Sequence, residues 1–209
     1  MPMTEKRLIT PEQYAARLAP VLSPTTEELF EHQRATLAEK KLAAVDMFDG
    51  FVKRIPASGL FLLVPSAPAP ITELDWNELM ARVEWNGRTG QNYLDPKHLT
   101  DLAEPLSHPA VLLDVEDGRA RVNVCPTDSR KAIGREGRQS YTLWRGYIHL
   151  LLFPMVLAHH NMDLIGSRFD AESVPALCLY DGKPALSSHW EVNANPVWGA
   201  PSCGSVLAP

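Results

Sequence analysis

Residues 174–190, VPALCLYDGKPALSSHW, decide the fold class of this chain. Two runs with apolar character, 174–180 and 185–190, flank Asp181-Gly182-Lys183-Pro184, whose residue types are those of turns. Short runs bounded by turn residues are typical of strands. The segment therefore predicts two strands that meet around a turn.

A second pair of apolar runs lies upstream, at residues 110–115 and 119–124. Between them, Glu116-Asp117-Gly118 contains an Asp-Gly pair, which is a strong short-range signal for a hairpin turn. We predict that residues 110–124 form an antiparallel hairpin. Another apolar run between helix breakers, Gly59–Pro65, predicts one more buried strand. The C-terminal tail, around Trp198–Cys203, is rich in Pro, Trp and Gly and shows no helix or strand pattern.

Four segments predict longer helices. The capping residues Thr10 and Ser23 begin two of them, and we expect these to end by Pro20 and at about Asp49. The third is Thr127–Glu136, with Gly137 as its terminator, and the fourth is the apolar segment Thr142–His159, kinked by Pro154. Three shorter elements are expected: a short helix at 76–83, a loop at 85–91, and another short helix that begins with residues 95–99.

This order of elements predicts an α+β fold, with N-terminal helices followed by a mainly antiparallel sheet and packed helices. We divide the chain into an N-terminal helical region, residues 1–57, and an α+β domain, residues 58–209. A chain of 209 residues suits one compact unit overall.

The composition is that of a soluble globular protein, with 45% hydrophobic and 22% charged residues. A net charge of -5 argues against nucleic acid as a partner, because phosphate binding needs a basic surface. The polar start Met1–Pro11 does not resemble a signal peptide, and the longest apolar run, Leu150–Ala158, is too short to span a membrane. The three cysteines have no CxxC spacing, so we predict neither a disulfide framework nor a zinc site. We expect a cytoplasmic protein.

Polar, glycine and tryptophan residues concentrate at the ends of apolar elements between about residues 108 and 205, where small domains often build a site. The candidate catalytic residues are Asp114, Arg168 and Cys203. The candidate substrate-binding residues are Asn123, Arg138, Ser167, Trp190 and Trp198.

Each catalytic candidate has a structural alternative. Cys203 would be a nucleophile if His189, His160 or Arg168 lowered its pKa, and otherwise a structural residue of the tail. Asp114 follows four apolar residues, so we expect it to be partly buried. It would then act as a general base, or pair with Arg138 or Arg168 and fix the loops.

Arg168 follows Gly166-Ser167 and would hold a carboxylate or phosphate, or bridge loops. We expect Arg168 and the tail around Trp198–Cys203 to border one pocket near Asp114. The tryptophans Trp144, Trp190 and Trp198 would line an aromatic pocket, or belong to the core. His149 and His160 are three helical turns apart, too far for one metal ion, and no metal ligand pair is present.

Short motifs between residues 114 and 204 follow one another in an order that resembles the DUF5701 family of uncharacterised bacterial proteins. They are Asp114-Val115, Asn123, Gly137-Arg138 with Thr142, Pro154, Gly166-Ser167-Arg168, Val174-Pro175-Ala176-Leu177 and the tail Trp198-Gly199 to Ser202-Cys203-Gly204. The resemblance covers most of the chain, more loosely at Leu8–Leu22, and is specific from about residue 94 onward. It implies a shared fold and no known reaction.

One departure from that family concerns the start of the apolar helix. The resemblance implies acidic residues just after the capping Thr142, whereas this chain has Leu143-Trp144-Arg145. If acids there serve a function in relatives, this protein has lost it. If they only cap the helix, their absence costs about 1 kcal/mol or less.

Two functions remain open. The first is a small-molecule enzyme or ligand-binding protein with its pocket in the C-terminal α+β region. The second is a non-catalytic interaction or scaffold protein, whose N-terminal helices would bind a partner or form a homo-oligomer. No GxGxxG, GxxxxGK[ST] or GxSxG motif occurs, so we predict no cofactor and no serine-hydrolase elbow.

Overall fold

The computed structural model describes residues 25–57 and 59–209. Its helices are α1 (Thr26–Glu39), α2 (Trp76–Ala81), α3 (Pro126–Arg135) and α4 (Leu143–Leu152), with 3-10 turns at Val45–Phe48, Val52–Arg54, Pro96–His98, Arg119–Arg121 and Pro154–Ala158. Its strands are β1 (Leu62–Val64), β2 (Glu84–Trp85), β3 (Arg88–Thr89), β4 (Gln91–Asn92), β5 (Leu99–Asp101), β6 (Ala110–Glu116), β7 (Gln139–Ser140), β8 (Asn161–Asp163), β9 (Ser167–Phe169), β10 (Ser173–Tyr180), β11 (Lys183–Trp190), β12 (Trp198–Gly199) and β13 (Ser202–Leu207).

The strands form two main sheets, so the chain has an α+β fold. The first sheet has the order β1-β6-β13-β7 and is antiparallel throughout. The second has the order β12-β8-β10-β11-β4, and β9 extends it by pairing with β10 and β5. In this sheet β10 is antiparallel to its neighbours, whereas β12 and β4 run parallel to their partners.

The predicted strand pair at 174–190 is confirmed as the hairpin β10–β11. Its register places Tyr180 opposite Lys183, so Asp181 and Gly182 form a two-residue turn. Both turn residues have positive φ, 49° and 72°, as the turn that matches the twist of a hairpin requires. The sequence signal succeeds here because the turn and both strands are local.

The predicted hairpin at 110–124 is wrong in its second arm. Residues 110–116 form β6, but Arg119–Arg121 is a 3-10 turn. Both edges of β6 are already paired, with β1 and β13, so residues 119–124 have no edge to join. Two carboxylates shape the turn instead: Glu116 Oε1 accepts from the Gly118 and Ala120 N–H groups at 3.0 and 2.9 Å, and Asp117 Oδ1 accepts from Arg119 N at 3.2 Å.

The tail, for which no strand was predicted, forms the interior strand β13 between β6 and β7. Two helices are shorter than predicted. The helix that begins after Thr25 ends at Glu39 rather than near Asp49, and Lys41 then adopts a φ of 57°. The apolar helix ends at Leu152, because Pro154 starts a separate 3-10 turn instead of kinking one continuous helix. The helix predicted from Thr10 to Pro20 lies outside the described residues.

Helix α4 is the centre of the core. All ten of its residues are buried, and it packs against β10, β1 and α1. Its Gly146 permits close packing, since a Cβ there would lie 2.2 Å from Leu164 Cδ2. One buried apolar cluster joins residues of α1, such as Phe30, to residues of the sheets and α4.

The outer edge of β1 is closed by a side chain of α1. Gln33 is fully buried, and its Nε2 donates to Phe61 O at 3.1 Å while its Oε1 accepts from Leu63 N at 2.9 Å. The amide thus takes the place of a neighbouring strand. In the part of the chain that the structure describes, no helix has the length and apolar character to cross a membrane.

Candidate functional site

A cavity of about 360 Å³ lies at the N-terminal end of α4. Three parts of the chain form it: the loop after β1, the strand β5 with the loop that follows it, and the first turn of α4. Its lining residues are Ala67, Ala69, Pro70, Ile71, Thr72, Leu99, Thr100, Asp101, Pro105, Leu106, Thr142, Trp144 and Arg145. Most of these are apolar, and two are charged.

Arg145 is the positive charge of this cavity. It is the third residue of α4, and its N–H donates to the capping Thr142 Oγ1 at 3.4 Å. Its side chain is only 4% exposed. One guanidinium nitrogen, Nη1, donates to Gln139 Oε1 at 3.2 Å and to Ser140 O at 3.5 Å. Nε is buried without a hydrogen-bond partner among the described residues, and Arg145 forms no ion pair with any of their carboxylates.

A cation in this position is unfavourable for the protein alone. Burial of a charge that has no opposite charge in direct contact costs several kcal/mol, even after the surroundings relax. The N-terminal turn of a helix adds a partial positive charge, which repels a guanidinium and attracts anions. A carboxylate that enters the cavity would relieve both penalties. The arrangement is therefore suited to the binding of an anion.

Asp101 is the negative charge of the same cavity, and Ser167 positions it. In the register of β5 and β9, Asp101 lies opposite Ser167, whose Oγ donates to Asp101 Oδ1. Ser167 Oγ also accepts from Leu143 N at 2.8 Å, which ties β9 to the start of α4. Burial raises the pKa of the Asp101 carboxyl, and the Ser167 hydrogen bond and the charge of Arg145 partly offset this effect.

The remaining wall of the cavity is apolar. Leu99 is 2% and Ile71 is 7% exposed, so both are anchored in the core. Trp144 Nε1 donates to Pro65 O at 2.7 Å, which satisfies the polar edge of the indole. The site therefore combines two charged groups with a fixed apolar wall, as ligand pockets commonly do.

A second cavity of about 350 Å³ adjoins the first. The two share Pro105, Leu106 and Arg145, and the second is also lined by residues 103–110, Gln139 and Val206. Arg145 thus lines both cavities.

The predicted site residues are distributed over several places. Asp114 is exposed, not partly buried as predicted, and it pairs with Arg138 at 2.5 Å. Arg138 also donates to Ser202 Oγ at 2.9 Å, so it joins β6 to β13. This is the loop-fixing pairing that the sequence offered as an alternative. The tail strand β13 lies beside Asp114, since Cys203 and Ser205 pair with Val115 and Leu113.

Cys203 lies on β13 and is fully buried. Burial raises the pKa of its thiol, which disfavours the thiolate that a nucleophile needs. Arg168 lies on β9 and pairs with Glu191 at 3.3 Å, and Glu191 also pairs with Arg130 at 2.9 Å. Arg168 therefore bridges elements of the second sheet, whereas Asp114 belongs to the first.

The last candidates, Trp190, Trp198 and Asn123, lie on or beside strands β11 and β12. Trp190 is 61% exposed. Trp198 stacks on His189 at a centroid distance of 4.5 Å, and His189 Nδ1 lies 3.0 Å from Asp163 Oδ1. Asn123 is exposed, has a φ of 67°, and donates its N–H to Trp198 O at 3.1 Å. No group of three or more His, Cys, Asp or Glu within residues 25–57 and 59–209 is arranged to hold a metal ion.

Of the predicted residues, Ser167 takes part in the cavity site, through Asp101 and Leu143. Arg145 and Asp101 were not among the predicted site residues. For Arg145 a signal was present: a basic residue follows the capping Thr142 where the family resemblance implied acids. No local sequence pattern marks Asp101 as a site residue, because only the pairing of β5 with β9 brings it close to α4.

Comparison with known proteins identifies the family. A sequence model described as "Family of unknown function (DUF5701)" matches residues 17–208, nearly the whole chain, so the chain belongs to this family. No curated protein and no solved structure matches it.

Proposed function

We propose that this member of a family of unknown function is a small-molecule binding protein that holds an organic carboxylate in the cavity beside Arg145. The observation that carries the proposal is Arg145 itself, a guanidinium 4% exposed that lines the cavity and pairs with no carboxylate of the described residues. An ionised carboxylate accepts charge-assisted hydrogen bonds from a guanidinium and gains further from the helix N-terminus.

The size and the walls of the cavity define the rest of the ligand. A volume of about 360 Å³ is at the lower end of the range for small-molecule sites, so the ligand is a metabolite-sized molecule. Leu99, Ile71 and Trp144 favour an aliphatic or aromatic body. The pocket differs from the expected one, since it involves the loop after β1 and the start of α4 rather than the tail.

The alternative of a scaffold protein has less support from α1. Its apolar side chains Leu29, Phe30 and Leu37 are all buried, so they do not form the exposed stripe that a docking partner would need. We further propose a cytoplasmic location. The odd number of cysteines and the absence of CxxC spacing support it, because secreted domains that depend on disulfides carry paired cysteines.

The test is calorimetric titration of the protein with two carboxylates, 4-methylpentanoate and 3-phenylpropanoate, and with their neutral amides. We expect the carboxylates to bind and the amides to bind about tenfold more weakly or worse, because a charge-assisted hydrogen bond is lost. Arg145→Gln should reduce carboxylate binding by a similar factor. Arg135→Gln is the matched control, since Arg135 is an exposed arginine outside the cavity. Equal binding of acid and amide, or equal binding by Arg145→Gln, would overturn the proposal.

A further inference from the structure

Two opposite charges line the cavity at α4, and they are not in contact. Asp101 and Arg145 interact electrostatically, but they form no ion pair. Elsewhere in the described structure, partly buried opposite charges meet directly in ion pairs such as Arg121 with Glu116 at 3.1 Å and Arg130 with Glu191 at 2.9 Å. The separation of Asp101 from Arg145 is therefore a feature of this cavity.

Each of the two groups is held in place by its own neighbours. Ser167 Oγ donates to Asp101 Oδ1, and Ser167 is in turn fixed by the N–H of Leu143. Arg145 is held through Nη1 by Gln139 and Ser140, on the strand β7. Because the anchor of Asp101 lies on β9 and those of Arg145 lie on β7, the guanidinium and the carboxylate are held apart while they line one space. That is the preorganisation that a binding site needs, since a ligand then does not have to separate an existing ion pair.

A ligand that satisfies both groups must carry both charges. Its carboxylate would pair with Arg145 and its cation with Asp101, in a cavity whose remaining wall is apolar. A dicarboxylate would be repelled by Asp101, and a simple amine would be repelled by Arg145. A carboxylate without a cation would cover Asp101 and leave that carboxyl desolvated without a partner.

We infer that the ligand of this cavity is a zwitterion, a small apolar α-amino acid, with its carboxylate on Arg145 and its ammonium group on Asp101. This inference rests on the proposed function, because it requires the carboxylate site at Arg145. It adds a specificity-determining role for Asp101. Asp101 has one carboxylate oxygen held by Ser167, while Oδ2 forms no hydrogen bond with the described residues. Oδ2 can therefore accept from a ligand ammonium group.

The side chain of the amino acid would contact the apolar wall. Leu99, Ile71 and Trp144 offer aliphatic and aromatic surface. Leucine and phenylalanine are therefore suitable probes, and each has a close analogue that lacks only the ammonium group. These are 4-methylpentanoate and 3-phenylpropanoate.

The experiment compares each amino acid with its analogue on three proteins: the unmodified chain, Asp101→Asn and Arg145→Gln. On the unmodified chain, we expect leucine or phenylalanine to bind about tenfold or more tightly than its analogue, because the ammonium group adds a charge-assisted hydrogen bond. Asp101→Asn should remove that preference and strengthen the binding of the analogue, because a desolvated negative charge beside its carboxylate is lost. Arg145→Gln should weaken both ligands. Asp181→Asn is the control for loss of an exposed acid outside the cavity.

The outcomes separate this inference from the proposed function. If the analogues bind as tightly as the amino acids, and Asp101→Asn has no effect on the amino acids, the zwitterion inference is overturned and the carboxylate site remains. If neither amino acids nor analogues bind to the unmodified chain, both are overturned.

Discussion

The N–H of Leu143 donates to Ser167 Oγ at 2.8 Å, and this bond fixes the first turn of α4 to β9. Ser167 is fully buried, and its hydroxyl donates in turn to Asp101 Oδ1. One hydroxyl thus connects the helix start, where Arg145 lies, to the strand that carries Asp101. The geometry of both charged groups in the cavity depends on it.

We expect Ser167→Ala to lower the free energy of unfolding by about 1–3 kcal/mol, because a buried N–H and a carboxylate oxygen lose their partner. Chemical denaturation measures this change. The same variant should weaken the binding of leucine to the cavity, since Asp101 is no longer held. Ser205→Ala, at an exposed serine of β13, is the control and should change neither quantity. Unchanged stability in Ser167→Ala would show that the hydroxyl is not needed to hold this junction.

The sequence predicted those elements whose partners are close along the chain. The hairpin β10–β11 was found from its own turn residues, and so was the end of α3 at Gly137, which has a φ of 67°. The second arm of the supposed hairpin at 110–124 failed because β6 pairs with β1 and β13 instead. The strand β13 was missed since its pairing with β6 joins distant residues, a contact that no local pattern encodes.

The site was harder to predict for the same reason. Ser167 was selected from a glycine-containing motif and does belong to the site. Arg145 was noticed as an exception to the resemblance, but its burial and its lack of a carboxylate partner appear only when the strand β7 and the loop after β5 cover it. The role of Asp101 depends on the register of β5 against β9.

The second prediction concerns the stability that the protein loses by burying the charge of Arg145. Arg145→Met retains much of the side-chain volume and removes a buried charge that has no carboxylate partner in the described part of the chain. We expect the free energy of unfolding, without ligand, to rise by about 1 kcal/mol or more, as replacement of buried charges by apolar residues often does. Urea denaturation without ligand measures it. A loss of stability would instead show that Arg145 serves the fold, by fastening β7 to α4.

Two glycines provide a matched pair for a third prediction. A Cβ on Gly199 would lie 2.1 Å from Gly118 O, where backbone meets backbone and neither chain segment can yield easily. We expect Gly199→Ala to destabilise the protein by about 3 kcal/mol, at the upper end for overpacking. Gly134 lies within α3 with nothing within 4 Å of its would-be Cβ. Gly134→Ala should therefore stabilise by about 0.4–1 kcal/mol. Thermal denaturation of both variants gives the comparison, and similar shifts of the same sign would contradict the packing described here.

The last prediction concerns the pH dependence of stability. His149 of α4 is 2% exposed and its Nδ1 has no hydrogen-bond partner among the described residues. Burial lowers the pKa of His149 from 6.5 to about 4, although the charge of Asp117 acts in the opposite direction. Because the folded pKa is the lower one, the unfolded chain takes up the proton first as the pH falls. The contribution of His149 is therefore fully present above pH 6.5 and is lost between pH 6.5 and about 4. The full contribution of His149 to the free energy of unfolding is about 3 kcal/mol.

We expect His149→Met to flatten the fall in unfolding free energy over this pH range, measured by urea denaturation at a series of pH values. His32→Met, at an exposed histidine of α1, should leave the slope unchanged. If His149→Met and the unmodified chain lose stability in parallel, His149 is not protonated on unfolding in the way that its burial implies.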